Sequence, residues 1–227
     1  MPRTLNPEAH ALRRDAFVDV AQRLLQTKGY EQMSIQDVLD ELDASRGAFY
    51  HYFDSKEALL EAVVERFADS AAASVAPIAT DPGLPALEKL GRVFSGFARW
   101  DEERRELLTA LLRVWYSDDN AIVREKYRNS MVRRVAPLLA TIIRQGRAEG
   151  LVTASSPDHV ARVLATLIQG FSDAGGELFV ARQANTVAFE VVERTVAAYT
   201  EAFERILGLP AGSLTIVDGP TLRLWFD

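Results

Sequence analysis

Ser34-Ile35-Gln36-Asp37-Val38-Leu39-Asp40-Glu41-Leu42-Asp43-Ala44-Ser45-Arg46-Gly47-Ala48-Phe49-Tyr50-His51-Tyr52-Phe53-Asp54-Ser55-Lys56 is the stretch on which the reading of this chain turns. Ile35, Val38, Leu39 and Leu42 fall at i, i+3, i+4 and i+7, which predicts a short helix burying one stripe. Ser34 is placed to cap it, with Asp37 three residues on in a capping box whose acid is one carbon shorter than the usual Glu. The helix should end at Asp43-Ala44, because Asp tolerates a left-handed backbone, and Ser45 should cap the next helix. Two short helices around a turn of three or four residues make a helix-turn-helix. In the second helix Phe49 and Phe53, four apart, should face inward, leaving Arg46, Gly47, Ala48, Tyr50 and His51 outward. Small residues beside aromatic and basic ones suit a helix that enters a major groove closely. The alternative, a helix-turn-helix used only as structure, does not need the run Tyr50-His51-Tyr52-Phe53 together with Lys56. Asp54 is expected to cap the following helix, with Glu57 at the capping-box position. A cation at Lys56, in that helix's first turn, is badly placed for the helix dipole, which favours an outside partner such as a DNA phosphate.

Outward from this stretch, apolar spacing reads as helix nearly throughout, for example Phe17, Ala21, Leu24 and Leu25, or Leu60, Val63, Val64 and Phe67. Punctuation falls at Lys28-Gly29-Tyr30, Asp81-Pro82-Gly83, Ser117-Asp118-Asp119-Asn120, Glu149-Gly150, Ser155-Ser156-Pro157 and Gly208-Leu209-Pro210. The expected fold is all-α with about nine helices: a three-helix head over residues 1–54 and a larger helical body over 55–227. Pro137, inside the pattern at 131–143, should kink that helix or mark its broken start. Gly175-Gly176 should interrupt or bend the helix that begins near Pro157. In the tail, Leu214 and Ile216, then Asp218-Gly219-Pro220, then Leu222, Leu224 and Phe226 read either as a short β-hairpin packed on the body or as a frayed end.

The last long helix carries two stripes. Phe189, Val192, Val196, Tyr199, Phe203 and Ile206 advance by 3, 4, 3, 4 and 3, a seam of the kind used in helix bundles. Val191, Thr195, Ala198 and Ala202 form a small, mostly apolar stripe beside it, suited to close approach by a partner helix, unless both stripes are buried within one monomer. Val160, Leu164, Leu167, Ile168 and Phe171 make the preceding helix similarly amphipathic, so a four-helix interface between two copies is expected.

Residues 10–60 resemble the TetR family of transcriptional regulators. The resemblance rests on Gly29-Tyr30, on Ser34-Ile35-Gln36-Asp37-Val38, and on Ala44-Ser45-Arg46-Gly47-Ala48-Phe49-Tyr50-His51-Tyr52-Phe53-Asp54-Ser55-Lys56-Glu57-Ala58-Leu59. It implies that Ser34, Tyr50 and Lys56 touch the DNA backbone, that Ser45 lies at the same interface, and that Arg46, Gly47, Ala48 and His51 face the bases. It also implies a homodimer on a near-palindromic operator and a body that binds a small effector. Two departures stand out. Asp43 occupies a turn position where the family commonly has Gly, and Ala48 replaces a frequent Ser or Thr, so readout should lean on Arg46. Arg3, Arg13 and Arg14 are either an N-terminal DNA-contacting arm or ordinary solvated charges. Phe94, Phe97, Trp100, Trp115, Tyr116 and Phe171 are the aromatic candidates for an effector pocket, each of which also fits ordinary core packing.

Composition opposes and supports this reading in turn. The chain has 227 residues and a net charge of −6, and its first 60 residues hold 7 Lys and Arg against 10 Asp and Glu. Phosphate binding is dominated by cations, so any DNA affinity must come from local placement of charge. The absence of Cys excludes a disulfide framework, a thiolate nucleophile and Cys-ligated zinc, and agrees with a reducing cytoplasm. No apolar run is long enough for a membrane span, and no signal-peptide pattern opens the chain. With three His, no metal-ligand spacing, no Gly-rich phosphate loop and no nucleophile elbow, neither an enzyme nor a cofactor or metal site is expected. A helical ligand-binding or interaction module that ignores DNA is the remaining alternative, with the overall acidity in its favour.

Overall fold

A computed structural model describes residues 7–116 and 121–227, so Arg3 and the expected break at 117–120 lie outside the described residues. The described residues form ten helices and no strand. In order these are α1 (Pro7–Lys28), α2 (Ile35–Leu42), α3 (Arg46–Tyr50), α4 (Lys56–Thr80), α5 (Ala86–Glu103), α6 (Arg105–Trp115), α7 (Ala121–Ala148), α8 (Pro157–Gln183), α9 (Phe189–Leu207) and α10 (Gly219–Phe226). The chain divides into two compact units. The first takes residues up to 67 and then 104–127; the second takes 68–103 and 128–227.

The first unit has the predicted amphipathic logic. Phe17, Ala21, Leu24 and Leu25 of α1 are buried, as are Val38 and Leu39 of α2, Phe49 of α3, and Leu60, Val63, Val64 and Phe67 of α4. α6 packs against α1 and buries Leu107. Arg66 of α4 is ion-paired to Asp19 and hydrogen-bonded to Gln22, tying α4 to α1.

In the second unit α8 packs on α9, with Leu164, Ala165 and Ile168 buried on one helix and Val192, Phe203 and Leu207 on the other. Phe94 of α5 meets Phe203 at 5.1 Å. Buried Lys89 donates to Ala79 O at 3.2 Å and to Gln145 Oε1 at 2.6 Å, so its ammonium satisfies a carbonyl in the last turn of α4. Gln145 donates in turn to Leu84 O at 2.8 Å, and the Glu149 carboxylate accepts from Ala86 N, which fastens the α4–α5 junction to α7.

Several expectations are corrected. Helix α7 begins well before Pro137 and runs through it, so Pro137 neither starts nor ends the helix. Helix α8 likewise continues through Gly175-Gly176, whose conformational cost is offset in a long helix packed along one face. The tail is not a hairpin. Asp218 accepts from Thr221 N at 2.8 Å as an N-cap, and Pro220 sits in the first turn, where its missing N–H costs nothing; the residues read as a β-turn start α10 instead. Trp225 completes the helical set with Leu222 and Phe226, a spacing that the alternation alone hid. Leu214 and Ile216 do alternate, but as a non-helical segment buried against the unit.

Candidate nucleic-acid interface

The helix-turn-helix forms through contacts spanning three or four residues. Ser34 N and its hydroxyl both donate to Asp37 Oδ2 at 2.8 Å, and Asp37 N donates back to Ser34 Oγ at 3.1 Å, completing the expected capping box. Asp43 ends α2 in the left-handed region at φ 46°, ψ 49°, which the expectation for the turn required of a non-glycine residue. Ser45 Oγ then accepts from Ala48 N at 3.2 Å and starts α3. Phe49 and Phe53 are buried; Phe49 packs against Phe17 at 5.8 Å between ring centroids and against Phe53 at 5.8 Å. Their burial leaves Arg46, Gly47, Tyr50 and His51 exposed and Ala48 half-buried.

One predicted cap moves by a residue. Ala58 N donates to Ser55 Oγ at 3.1 Å, so Ser55, and not Asp54, caps α4. Lys56 consequently occupies the first helical position, and it has a partner within the molecule: its ammonium lies 4.1 Å from the centroid of the Tyr30 ring. The Tyr30 hydroxyl donates to Glu57 Oε1 at 3.4 Å. Tyr30 thus steadies both charges of that first turn. Burial pushes the Lys56 ammonium below its ordinary value, and the Ser55 hydroxyl holds the Glu57 carboxyl below its own.

Part of the acidity of this unit is paired internally. Asp37 is paired to Lys28 at 2.7 Å, Glu61 to Lys126 at 2.5 Å, Asp19 to Arg66, and Glu41 to Arg23, while Asp40 accepts from Gln36 at 2.7 Å. Residues 44–53 contain no acid at all. The first turns of α1 lie against the end of the same stretch. The His10 ring is 5.4 Å from that of His51 and 4.7 Å from that of Tyr52, and the Arg14 guanidinium is 5.1 Å from the Phe53 ring centroid. His10 and Arg14 therefore lie beside the C-terminal end of α3, near exposed His51, while Arg46 stands at its N-terminal end. Sequence reading gave Arg14 either as part of a DNA-contacting arm or as a solvated charge and had no signal for its approach to Phe53, because the contact spans nearly forty residues.

Asp37 links this geometry to pH. The Lys28 ammonium first, then the backbone N–H and hydroxyl of Ser34, hold its carboxyl down at about 2 against an ordinary 3.8. A depressed carboxyl stabilises the fold fully above its unfolded value and loses that contribution as pH falls through the folded one. The stability difference between the wild type and Asp37→Asn should thus be constant above the ordinary value and shrink as pH falls from there to about 2. Urea unfolding at a series of acid pH values measures it, and a difference that did not shrink would deny the pairing this role.

The effector candidates are distributed. Phe94 and Trp100 are buried in the second unit, Phe94 on Phe203 and Trp100 donating from Nε1 to Ser70 Oγ at 3.0 Å. Phe97 is half-buried, and half-buried Phe171 meets Tyr199 at 5.1 Å. Trp115 and Tyr116 belong to the first unit, where Trp115 packs edge-on against Tyr127 at 5.2 Å. A separate open groove of about 790 Å³ runs between α5 and the segment before α10, lined by Leu87, Gly91, Ala98, Ile216 and Thr221 among others. On α9, Val191, Thr195 and Ala202 are half-buried and Ala198 is exposed, while Val192 and Phe203 of the neighbouring seam are buried. Among the described residues no helix is long and apolar enough to cross a membrane, and no group of His, Cys, Asp and Glu could hold a metal ion.

The fold and this face define a helix-turn-helix protein built from two all-helical units. Residues 17–63 match the family of bacterial regulatory proteins, tetR family, and the chain carries that family's N-terminal segment. A Bacillus subtilis relative, described as an uncharacterized HTH-type transcriptional regulator, YuxN, is 37% identical over 69 residues, which are 30% of this chain and 24% of that protein. The chain thus matches only about a quarter of that relative's length. The HTH-type transcriptional repressor DhaR of Mycobacterium sp. is 23% identical over 158 residues, 69% of this chain and 79% of that one. A structure from Saccharomonospora viridis, described as a transcriptional regulator in complex with choline, is 25% identical with a TM-score of 0.51, over 71% of this chain and 83% of that one.

Proposed function

We propose that the chain is a ligand-responsive transcriptional repressor of the cytoplasm, not an enzyme. It binds a near-palindromic operator as a homodimer and is released by a small apolar or aromatic effector. Residues 1–54 serve as the DNA-binding domain and 55–227 as the effector-binding and dimerisation domain. The observation that carries the reading is the exposed, acid-free face of α3, held outward by the burial of Phe49 and Phe53. Arg46, Gly47, Ala48 and His51 face the bases. Ser34, Ser45, Tyr50 and Lys56 fix the helix on the backbone, as phosphate contacts generally do. Arg14 joins them from α1.

A single head of this size reads few base pairs, so specificity requires two heads on successive half-sites about 34–36 Å apart. The stripe of Val191, Thr195, Ala198 and Ala202, half-buried except for exposed Ala198, supplies the contact, since its small side chains let a partner helix approach. The DhaR relative supports repression, and the choline complex supports a body that binds a small molecule. Effector and operator then favour different states of one conformational equilibrium.

Operator selection from random DNA, followed by binding titrations across salt, tests the reading. Affinity should fall as salt rises. Lys56→Met should flatten the slope of log affinity against log salt by about one unit, the signature of one lost phosphate contact. Lys56→Arg, which keeps both the charge and a cation over Tyr30, should restore it. Failure of the wild type to bind any selected DNA above the non-specific level removes the repressor reading.

A further inference from the structure

Two histidines from distant points of the chain meet at the end of α3. The His10 ring of α1 lies 5.4 Å from the His51 ring, edge-on at an interplanar angle of 74°. Both pack on Tyr52, His10 at 4.7 Å and His51 at 5.0 Å between ring centroids. His51 is exposed, and His10 and Tyr52 are half-buried, so the pair can be reached from outside the unit. The third histidine of the chain, His159, stands on α8 in the second unit.

The charges that share this corner are mostly positive. On α1, Arg13 and Arg14 follow His10 by three and four positions and so lie on its face of the helix. Their guanidinium groups are 5.9 Å from the Phe17 ring centroid and 5.1 Å from that of Phe53. The acids of that end of α1, Glu8 and Asp15, stand two before and five after His10, spacings that do not share its face. α3 contributes Arg46 and Tyr50 and no acid. Beyond it, exposed Asp54 follows His51 by three positions, and α4 opens with Lys56 and Glu57, both engaged by Tyr30.

We propose that His10 and His51 act together as an anion-binding pair whose charge sets the affinity for DNA: with both imidazoles protonated, the end of α3 is a cationic site for a backbone phosphate, and with both neutral it is not. The inference rests on the DNA-binding reading and adds His10, which that reading leaves out. Histidine is the side chain that ordinarily changes charge between about pH 5 and 8, so the site switches within the physiological range. Two cations this close repel; a DNA phosphate offsets that repulsion, whereas the acid-free stretch 44–53 does not. Binding DNA therefore takes up protons, and by linkage affinity rises as pH falls. The charge matters in this head, because full protonation of the pair moves the balance of the first 60 residues from −3 to −1.

Titration of the full chain with its selected operator, at fixed ionic strength and a series of pH values from about 5.5 to 8.5, tests the pair. Wild-type affinity should rise at least about tenfold from about pH 8 to about pH 6. His10→Gln and His51→Gln should each cut that rise substantially, and the double variant should hold it below about threefold. His159→Gln should leave it whole. Circular dichroism checks each variant, and if His10→Gln loses helical signal, His10→Asn replaces it. Operator affinity that does not change with pH overturns the pair while DNA binding stands. A dependence that loss of the His10 imidazole leaves intact overturns it too, because His51 then acts alone. A chain that binds no selected DNA at any of these pH values fails on the DNA-binding reading itself, and the inference falls with it.

Discussion

Phe49→Ala is expected to lower the stability of the first unit by about 3–5 kcal/mol, the range for truncating a buried aromatic where the surroundings relax only in part. Phe49 is completely buried, and its ring meets those of Phe17, Tyr50 and Phe53 within 6 Å. It is also the residue that aims α3. A helix of five residues has little cohesion of its own, so the burial of Phe49 is what orients Arg46 and His51 outward. A folded domain is stable by only about 5–15 kcal/mol, so the loss is a large share of the whole. Hydrogen exchange resolves it by position: protection should collapse for amides of α1 to α3. A loss below about 1 kcal/mol, well under the range for such truncations, would show that Phe49 is not the centre of this core.

The second large effect falls on binding. Arg46 is the one cation on the outward face of α3, and Ala48 offers only a methyl where a hydroxyl would add a contact. A bidentate arginine–guanine pair discriminates by about 1–3 kcal/mol, so Arg46→Ala should cost about 5- to 150-fold in operator affinity for each head. Both heads of a dimer lose the contact, which compounds the loss. Arg46→Lys keeps the charge and loses the planar fork, so it should behave nearer to Ala than to Arg on the operator. The discriminating measurement is selection of preferred sites by each variant. Preference should relax at one position of each half-site; a loss equal across all sequences would make Arg46 a phosphate contact.

How much of this was legible in sequence follows the range of the interactions. The Ser34–Asp37 box, the left-handed Asp43 and the Ser45 cap all act over four residues or fewer, and all were readable from residue type and spacing. The cap of α4 shows where that resolution ends: Asp54 and Ser55 are both good capping residues, and Ser55 takes the role. Lys56 is more instructive. Its poor placement against the helix dipole suggested an external anion, and no spacing reported that the ring of Tyr30, 26 positions earlier, lies 4.1 Å from its ammonium. Pro137 and Gly175-Gly176 were legible as points of weakness, but residue type alone could not separate a bend from a break, and α7 and α8 run through them because tertiary packing outweighs a local preference of about 1 kcal/mol for glycine and more for proline.

Sequence by itself determined the all-helical class, the helix-turn-helix and the inward set of Phe49 and Phe53, because these follow from hydrogen bonds and apolar spacing within one or two turns. Only the tertiary structure decided that residues 104–127 return to the first unit, that α1 brings His10 and Arg14 beside α3, and that the tail forms a helix latched by Glu204 and Arg182. Each of those depends on groups brought together from distant points of the chain, and burial, which no periodicity reports between elements, selects the arrangement.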